Sequence, residues 1–523
     1  MAEQVQAQAL SRNLPLGEVE PLHGFKLILA TFALGLGSFM NVLDISIANV
    51  SLPTIAGDFA VSPAQGTWVI TSYAVSEAIM LPLTGWLSSR FGEIRQFIFA
   101  TLMFALASAL CGLAVSFPML LISRILQGIV GASMIPLSQA LIIKSFPPEK
   151  RGMALGIWAM TTIVAPIMGP VIGGWLTDNY SWRWVFYINI PFALLCAYLI
   201  GSLFKGRDNV RVKKPIDKVG LILLAVGIGC LQILLDKGNE LDWFSSPIIV
   251  AIALTSFICL VCFVLWELGE EHPVVNLRLF RLKNFRIASI CLFVGSFAFY
   301  IFVVIGPLWM QTQLGYTAFT AGLVMASTGL LAIVAGPFFG SQLPRLGARR
   351  IATLGFSCFA IGAILSSLIT SDVSYHYLQQ TRIIMGLGVA GFFVPMTAIS
   401  LSQLRPDQMA AGSGLTNFLR NIGGSTGTAI GATVWQNEAI RNHAILSESL
   451  TTSNLSLANL QDQLTSAGIS PEGQLQFLDL MVNSQAYILS TNHLLTFSGL
   501  IMLCLIPVVW LAKPPFGAGG SGH

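Results

Sequence analysis

Residues 85–95, GWLSSRFGEIR, and residues 340–350, GSQLPRLGARR, carry one pattern, G-x-x-x-x-R-x-G-x-x-R, at a separation of 255 positions. RILQG at 124–128 and RIIMG at 382–386 stand 258 apart, and SFPPEKRGMALG (145–156) is shadowed at that offset by QLRPDQMAAGSG (403–414). Three correspondences at nearly one offset describe a chain made of two related halves, a parallel repeat of the kind membrane transporters use. Such repeats place a substrate site near the membrane midplane, where the halves meet and rocking can expose it to each side in turn.

Composition agrees with a membrane setting. Of 523 residues, 54% are hydrophobic and 10% charged, where a soluble globular domain carries about 25% charged residues. Apolar runs of about 20 residues, enough to cross a hydrocarbon core about 30 Å thick, recur from Phe25 to Leu511. This excludes a soluble enzyme or a nucleic-acid-binding domain. Cutting at the polar breaks gives fourteen spans, beginning near residues 27, 66, 96, 117, 152, 184, 219, 246, 287, 321, 351, 378, 413 and 487. The expected fold is therefore all-α and integral to the membrane: two pseudo-repeated six-helix halves, with spans 7 and 8 inserted between them.

An even count puts both termini on one side, and Lys and Arg gather on the cytoplasmic side. Of the 28 basic residues, Arg183, Lys237 and Arg441 alone fall in the opposite loops, and Arg124, Arg382 and Arg420 lie inside spans. Both termini are read as cytoplasmic. The division follows: an N-terminal tail (1–26), a first half (27–204), linkers with the two inserted helices (205–286), a second half (287–511) and a C-terminal tail (512–523). The polar N-terminal segment lacks a basic n-region followed by a short apolar stretch, so no cleaved signal peptide is expected. Within the second half, 436–486 reads as a polar, mildly acidic, partly amphipathic loop on the outer side: a solvated cap or a docking surface.

Other chemistry is scarce. All eight cysteines lie in or beside apolar runs, and the C-x-x-C of Cys259 and Cys262 sits inside IIVAIALTSFICLVCFVLW, where small apolar packing explains it. The six histidines, His23, His272, His376, His443, His493 and His523, show no metal-ligand spacing. No G-x-x-x-x-G-K-[ST] occurs, which disfavours an ATP-driven pump.

Acids inside the spans stand out, since an aspartate at a span centre costs about 2.5–3.5 kcal/mol on insertion scales. Asp44 is the one charge between Lys26 and Asp58. Glu77, in TSYAVSEAIMLPLTGW, lies near the centre of span 2, and Glu267 lies at the inner edge of span 8, within reach of headgroup water. In contact, which the sequence does not show, Asp44 and Arg124 would form a pair able to bind and release a proton; the alternative for Asp44 is a structural one, pairing Arg124 or capping hydrogen bonds in the bundle. Glu77 reads either as a second proton site or as a cation-attracting substrate contact. Asn41, Glu77, Gln127 and Tyr300 are candidate cavity-lining residues.

Four motifs resemble the major facilitator superfamily, specifically its fourteen-helix drug:proton antiporters. LDISIANVSLPTIA (43–56) matches L-D-x-T-x-x-N-V-A-L-P with Ser46 in place of threonine, and Leu120, Arg124, Gln127 and Gly128 match L-x-x-x-R-x-x-Q-G. Gly156, Ala165, Gly169, Pro170, Gly173 and Gly174 resemble the antiporter signature G-x8-G-x3-G-P-x2-G-G with Ala165 replacing one glycine. Small residues at 165, 169 and 173 line one helix face for close approach, and Pro170 favours a kink. The 85–95 loop resembles the family's gating loop through Gly85, Arg90, Gly92 and Arg95, but Ser89 replaces its aspartate, so a gate here would lean on Arg90, Glu93 and Arg95. WRWVFYINIP (182–191), DKVGLILLAVG (217–227) and FLRNIGGSTGTAIG (418–431) also look like this subgroup, and LDKGNELDWFSS (235–246) and AKPPFGAGG (512–520) resemble its EmrB-type exporters.

The resemblance implies a secondary transporter and not an enzyme, without cofactor or metal and driven by the proton gradient. It would export hydrophobic and amphipathic compounds by alternating access from a bacterial inner membrane, surrounded by lipid. It also implies two partners, a periplasmic membrane-fusion adaptor and an outer-membrane channel. Other readings stay open: the same antiport cycle serving an endogenous metabolite, lipid or siderophore, a proton-driven uptake symporter, or a membrane sensor.

Overall fold

A backbone crossing lipid must satisfy its own polar groups, and helices do so segment by segment. The computed structural model describes residues 22–147, 150–207, 215, 217–271, 273–448 and 455–516, and among them helices account for the regular structure. The N-terminal tail up to residue 21, part of the 208–216 linker, His272, residues 449–454 of the outer segment and the C-terminal tail beyond 516 lie outside the described residues.

In chain order the rods are α1 Gly24–Asp58, α2 residues 68–91, α3 Glu93–Gly112, α4 Phe117–Ser145, α5 Arg151–Asn179, α6 Trp184–Leu203, α7 Lys218–Lys237 and α8 Pro247–Gly269. They continue as α9 Lys283–Gln313, α10 Ala318–Leu346, α11 Ala348–Ser366, α12 Tyr375–Leu401, α13 Met409–Glu448, the short α14 Leu455–Ser466 and α15 Pro471–Trp510. Among the described residues, eleven are long and apolar enough to cross a membrane, and the bent α5 makes a twelfth. The long rods outside that count are α2, interrupted by a 3-10 turn at Leu81–Leu83 around Pro82, and α13, rich in glycine and polar residues. α5 bends by 40° between 151–166 and 171–179, the stretch where Pro170 predicts a kink.

The described residues of the segment 436–486 are largely helical. α13 runs to Glu448 and α15 begins at Pro471, each 40 residues long. At 1.5 Å per residue each spans about 60 Å, roughly twice a hydrocarbon core, so the pair projects well beyond a bilayer.

Packing follows the sequence repeat. α1 packs on α5 and α6, α2 on α4, and α3 on α4 and α6; in the second half α9 packs on α13 and α15, α10 on α12, and α11 on α12 and α15, with α15 in the place of α6. α7 packs against α2 and α13, while α8 leans mainly on α7 and exposes Leu254, Phe257, Ile258, Val261 and Leu265. Such an apolar exterior suits lipid.

The repeated loop motif has a physical basis. Its second glycines, Gly92 (φ 91°) and Gly347 (φ 81°), occupy the left-handed region that a side chain resists, turning α2 into α3 and α10 into α11. Its first glycines are the places where the two bundles meet. A Cβ on Gly85 would strike Ala411, and one on Gly340 would strike the Gly152 carbonyl. A second tier repeats the arrangement: Gly414 lies against the Leu81 carbonyl, where a Cβ would stand 2.9 Å away, and Gly156 lies against Gly336 and Pro337. Gln139 of α4 accepts from Ser413 and, at 3.0 Å, from Asn417 of α13. All of these contacts lie toward the face carrying the basic loops, so the bundles are locked together on that face.

Within the antiporter signature, Gly156 touches α10, whereas a Cβ on Gly174 would meet nothing within 4 Å. Gly156→Val and Gly414→Val should each lower the unfolding temperature of the detergent-purified protein, by the equivalent of about 1–3 kcal/mol of overpacking. Gly174→Val should leave it nearly unchanged.

Candidate functional site

Asp44 lies in α1 and Arg124 in α4, and the structure brings them together: Arg124 Nη1 donates to Asp44 Oδ2 at 2.5 Å, with both side chains at 0% exposure. Burying two charges costs several kcal/mol each, recovered only with good geometry and full hydrogen bonding. Both conditions are met around Asp44. Its Oδ1 accepts from Gln127 Nε2 at 2.9 Å and Asn189 Nδ2 at 2.7 Å. Ser108 Oγ accepts from the same two amides at 2.7 and 3.2 Å. Arg124 also donates from Nε to the Val69 carbonyl at 3.0 Å and from Nη1 to Gln127 Oε1 at 2.7 Å, leaving Nη2 without an acceptor. Its plane lies 4.4 Å from the Tyr73 ring centroid and 5.6 Å from that of Phe186, positions that favour a cation. One cluster thus joins α1, α2, α3, α4 and α6.

α5 closes the cluster from behind. A Cβ on Gly169 would strike Ser46, and one on Gly173 would sit on Ile47, 3.1 Å from its Cγ2. Ala165 is fully buried in the apolar cluster containing Leu43 and Ile47. The signature therefore serves two surfaces of α5: Gly156 meets the second bundle, and 165–173 seats α1 beside Asp44. The Pro170 side chain lies outside what is described.

Two expected cavity residues are spent inside the first bundle. Gln127, fully buried, is a partner of Asp44, as above. Asn41, also fully buried, donates to Tyr73 Oη at 2.9 Å and to the Gly131 carbonyl at 3.1 Å, where α4 breaks between Gly131 and Met134. Gln127 is thus occupied by the ion pair, whereas Asn41 keeps a buried Oδ1 without a partner and also lies against Glu77.

Glu77 instead faces the second bundle. Asn421 Nδ2 of α13 lies 3.5 Å from its Oε2, its Oε1 has no partner, and the Arg420 guanidinium acts on it electrostatically. Half-buried Tyr300 of α9, the other expected cavity residue, packs edge-on against Phe299 with centroids 5.5 Å apart and feels both charges. Glu77, Tyr300, Arg420 and Asn421 form a polar patch where the bundles meet. Arg420 is legible in the sequence as a charge inside a span, the signal that singles out Asp44, but residue type alone gives it no role.

Two further expectations change. Glu267 does not reach headgroup water: it is 1% exposed, and its Oε1 accepts the Val275 N–H at 3.4 Å as the 273–282 connection folds back over it. In the gating loop, Glu93 makes a two-oxygen ion pair with Lys144 at the end of α4, both distances 2.7 Å. That pair ties α3 to α4 within one bundle. Arg90 stacks over Trp86 at 5.4 Å, and Ser89 bonds its own helix at Trp86 O, 2.8 Å. Contacts between the bundles at this face include the glycine seams and the Gln139 amide.

The Major Facilitator Superfamily profile matches residues 34–428. The chain belongs to that superfamily. It is 41% identical over 96% of its length to the multidrug export protein EmrB of Escherichia coli, covering 98% of that protein. It is also 40% identical to the fatty acid resistance protein FarB of Neisseria gonorrhoeae, covering 96% of this chain and 99% of that one. EmrB of Haemophilus influenzae is 42% identical over 95% of this chain and 98% of its own length. This major facilitator is therefore of the EmrB type, a transporter and not an enzyme. Solved structures share the fold: the human organic anion transporter MFSD10 (TM-score 0.60, 13% identity, 92% of this chain and 100% of that one) and a bacterial homologue of the lysosomal transporter Spinster (TM-score 0.52, 15% identity, 94% and 100%).

For a major facilitator with this cluster, stability and charge should separate. Asp44→Leu or Arg124→Met alone leaves one buried charge without its partner and should cost about 3–5 kcal/mol. Together they should return thermal unfolding in detergent close to wild type, since an apolar pair replaces a closed ionic one.

Proposed function

We propose that the protein is a proton-coupled exporter of hydrophobic and amphipathic compounds, working by alternating access without cofactor. The observation carrying this reading is the Asp44–Arg124 pair, a closed charge cluster inside a bundle whose neighbours meet it through glycine seams. The multidrug export names of the relatives support the substrate class.

In this reading the chain crosses the membrane fourteen times, with α2 and α13 as the two crossings that length and apolarity alone do not count. Residues 27–204 and 287–511 are the two halves and 205–286 carries the inserted pair. The basic loops put both termini in the cytoplasm of a bacterial inner-membrane protein. The glycine-locked face is then cytoplasmic, and the arrangement is the one closed toward the cell interior. Protonating Asp44 cancels the charge that holds Arg124, freeing α4 and α1 to shift, and that shift is passed to the second bundle through α5 and α2. Glu77 and Arg420, at the meeting plane, face the exported compound.

The projecting ends of α13 and α15 expose Ile440, Ile445, Leu475, Leu480 and Met481. An apolar surface outside the bilayer suits the proposed periplasmic adaptor, which would lead to an outer-membrane channel.

In inverted vesicles, wild type should release lumenal protons when an amphipathic compound is added, and Asp44→Asn should abolish that release while still binding the compound. Full proton-coupled transport by Asp44→Asn would sink the assignment. Glu77→Gln should weaken export of cationic compounds by at least tenfold and leave neutral ones moving; equal loss for both would make Glu77 a second proton site.

A further inference from the structure

Asn41 stands between the two acids of the first bundle. It precedes Asp44 by three residues in α1, as Tyr73 precedes Glu77 by four in α2, so each pair shares a helix face. The two pairs interlock: the Arg124 guanidinium that binds Asp44 lies 4.4 Å from the Tyr73 ring centroid, Tyr73 Oη accepts from Asn41 at 2.9 Å, and Asn41 lies against Glu77. α4 meets the same turns. A Cβ on Gly128, next to Gln127, would strike the Tyr73 carbonyl and stand 3.2 Å from the Glu77 backbone nitrogen, so the helix bearing the buried arginine touches the turn bearing Glu77.

Hydrogen bonding at this junction is short of a donor. Asn41 Nδ2 donates to the Gly131 carbonyl at 3.1 Å, a group that can only accept, so the amide nitrogen is fixed there and Oδ1 is turned away from it. Asn41 Oδ1 and Glu77 Oε1 are both buried without a partner. Two unmatched acceptors on neighbouring side chains are unfavourable away from water, and the acid form of Glu77 is the donor that serves them. The ionisable groups acting on Glu77 are Arg420 of α13, Arg124 of α4 and Asp44 of α1, with Tyr73 on its own helix and Tyr300 of α9. From α7, Asp236 and Lys237 meet α2 further along, at Thr71 and Thr67. Burial opposes a charge on Glu77 and the two arginines favour it, and between opposed effects one hydrogen bond carries weight.

We propose that Asn41 is a positioning residue: its Oδ1 accepts the hydrogen of neutral Glu77 while the Asp44–Arg124 pair is closed, and the shift of α1 that follows release of the pair withdraws it. This rests on the proposed roles of Asp44 as proton carrier and Glu77 as the compound's contact. In the arrangement closed toward the cell interior, Glu77 is neutral and lets a cation go. Once α1 has moved, Glu77 loses its acceptor, passes its proton to water and draws in the next cation, one positive charge replacing another. Neutral compounds bypass this exchange.

The test is equilibrium binding of tetraphenylphosphonium, a cation, and of phenylnaphthylamine, a neutral amphiphile, to the full-length protein in detergent, read as the ratio of the two affinities so that general effects on folding cancel. Asp44→Asn, standing in for protonated Asp44, should raise the ratio about fivefold, the weight of one hydrogen bond. Asn41→Leu should raise it alone, and adding Asp44→Asn should then change it by less than about twofold. Tyr73→Phe, which keeps the ring under Arg124 and removes the hydroxyl that anchors Asn41, should blunt the Asp44→Asn response in the same way, and it serves if Asn41→Leu does not fold. Plotted against pH, tetraphenylphosphonium binding should move to lower pH by about half a unit in Asn41→Leu, which a merely structural role for Asn41 would not produce. Absence of tetraphenylphosphonium binding by wild type overturns the export reading of Glu77 and this inference with it. With binding present, an Asp44→Asn response that is missing, or that persists undiminished in both the Asn41→Leu and Tyr73→Phe backgrounds, overturns the inference alone.

Discussion

Removing water from around a charge is the constraint that organises this molecule. In the first bundle it is met by a single contact, Asp44 on Arg124 at 2.5 Å, and much else follows from keeping that contact complete. Asn189 and Gln127 must point at the carboxylate, so α6 and α4 are fixed relative to α1. The Val69 carbonyl must be free for Arg124 Nε, which holds the start of α2 in place. α5 must come close enough to shut the cluster from behind, and only small residues at 165, 169 and 173 allow it. A hydrophobic bundle without this cluster would be held by dispersion and shape alone, which in lipid gives weaker orientation between helices.

Close approach is the second organising element, and it explains the sequence repeat better than charge does. Gly85 and Gly340 match across the halves because each sits where a helix of one bundle crosses a helix of the other. Their interfaces are mirror images in chain order: α2 on α13, and α10 on α5. Backbone-to-backbone contact leaves no room for a side chain but also no side chain to interlock. Such a seam can part and re-form with little rearrangement, which suits bundles that rock. Ion pairs such as Glu93 with Lys144 stay within a bundle, where nothing has to separate.

How much of this is legible in the sequence depends on whether the signal is local. The membrane class, the repeat and the close-packing face of α5 each rest on residue type and spacing, and those survive without a structure; Asp44 and Arg124 are each visible as charges inside spans, but their contact is not. The bonds of Asn41 and Gln127 are not legible, because an amide in a span looks the same whether it faces a cavity or a neighbouring helix; the difference lies in which way two other helices face. Glu267 misleads because its cover comes from a connection that doubles back, invisible to hydropathy. The outer segment looks like a loop because polar residues continue α13 and α15 past the bilayer, where apolar periodicity no longer marks a helix. Arg420 is visible as a charge in a span, but its neighbours Glu77 and Tyr300 lie on other helices far back along the chain.

The two arginines show how a repeated framework can carry opposite chemistry. Arg124 and Arg382 occupy matching turns, each stacked on an aromatic ring and each followed by a glycine that admits the backbone of a neighbouring helix. The backbone arrangement alone does not decide what either does. In the first bundle the counter-charge is covalent, part of α1, so changing its protonation must act on the helix that bears it. In the second, Phe302 replaces that charge, so no acid of α9 acts on Arg382. A chain whose halves were electrostatically identical would have two places to take up a proton and no fixed relation between them. Confining the acid to one half ties the response to α1 and leaves the other half as the body against which it moves.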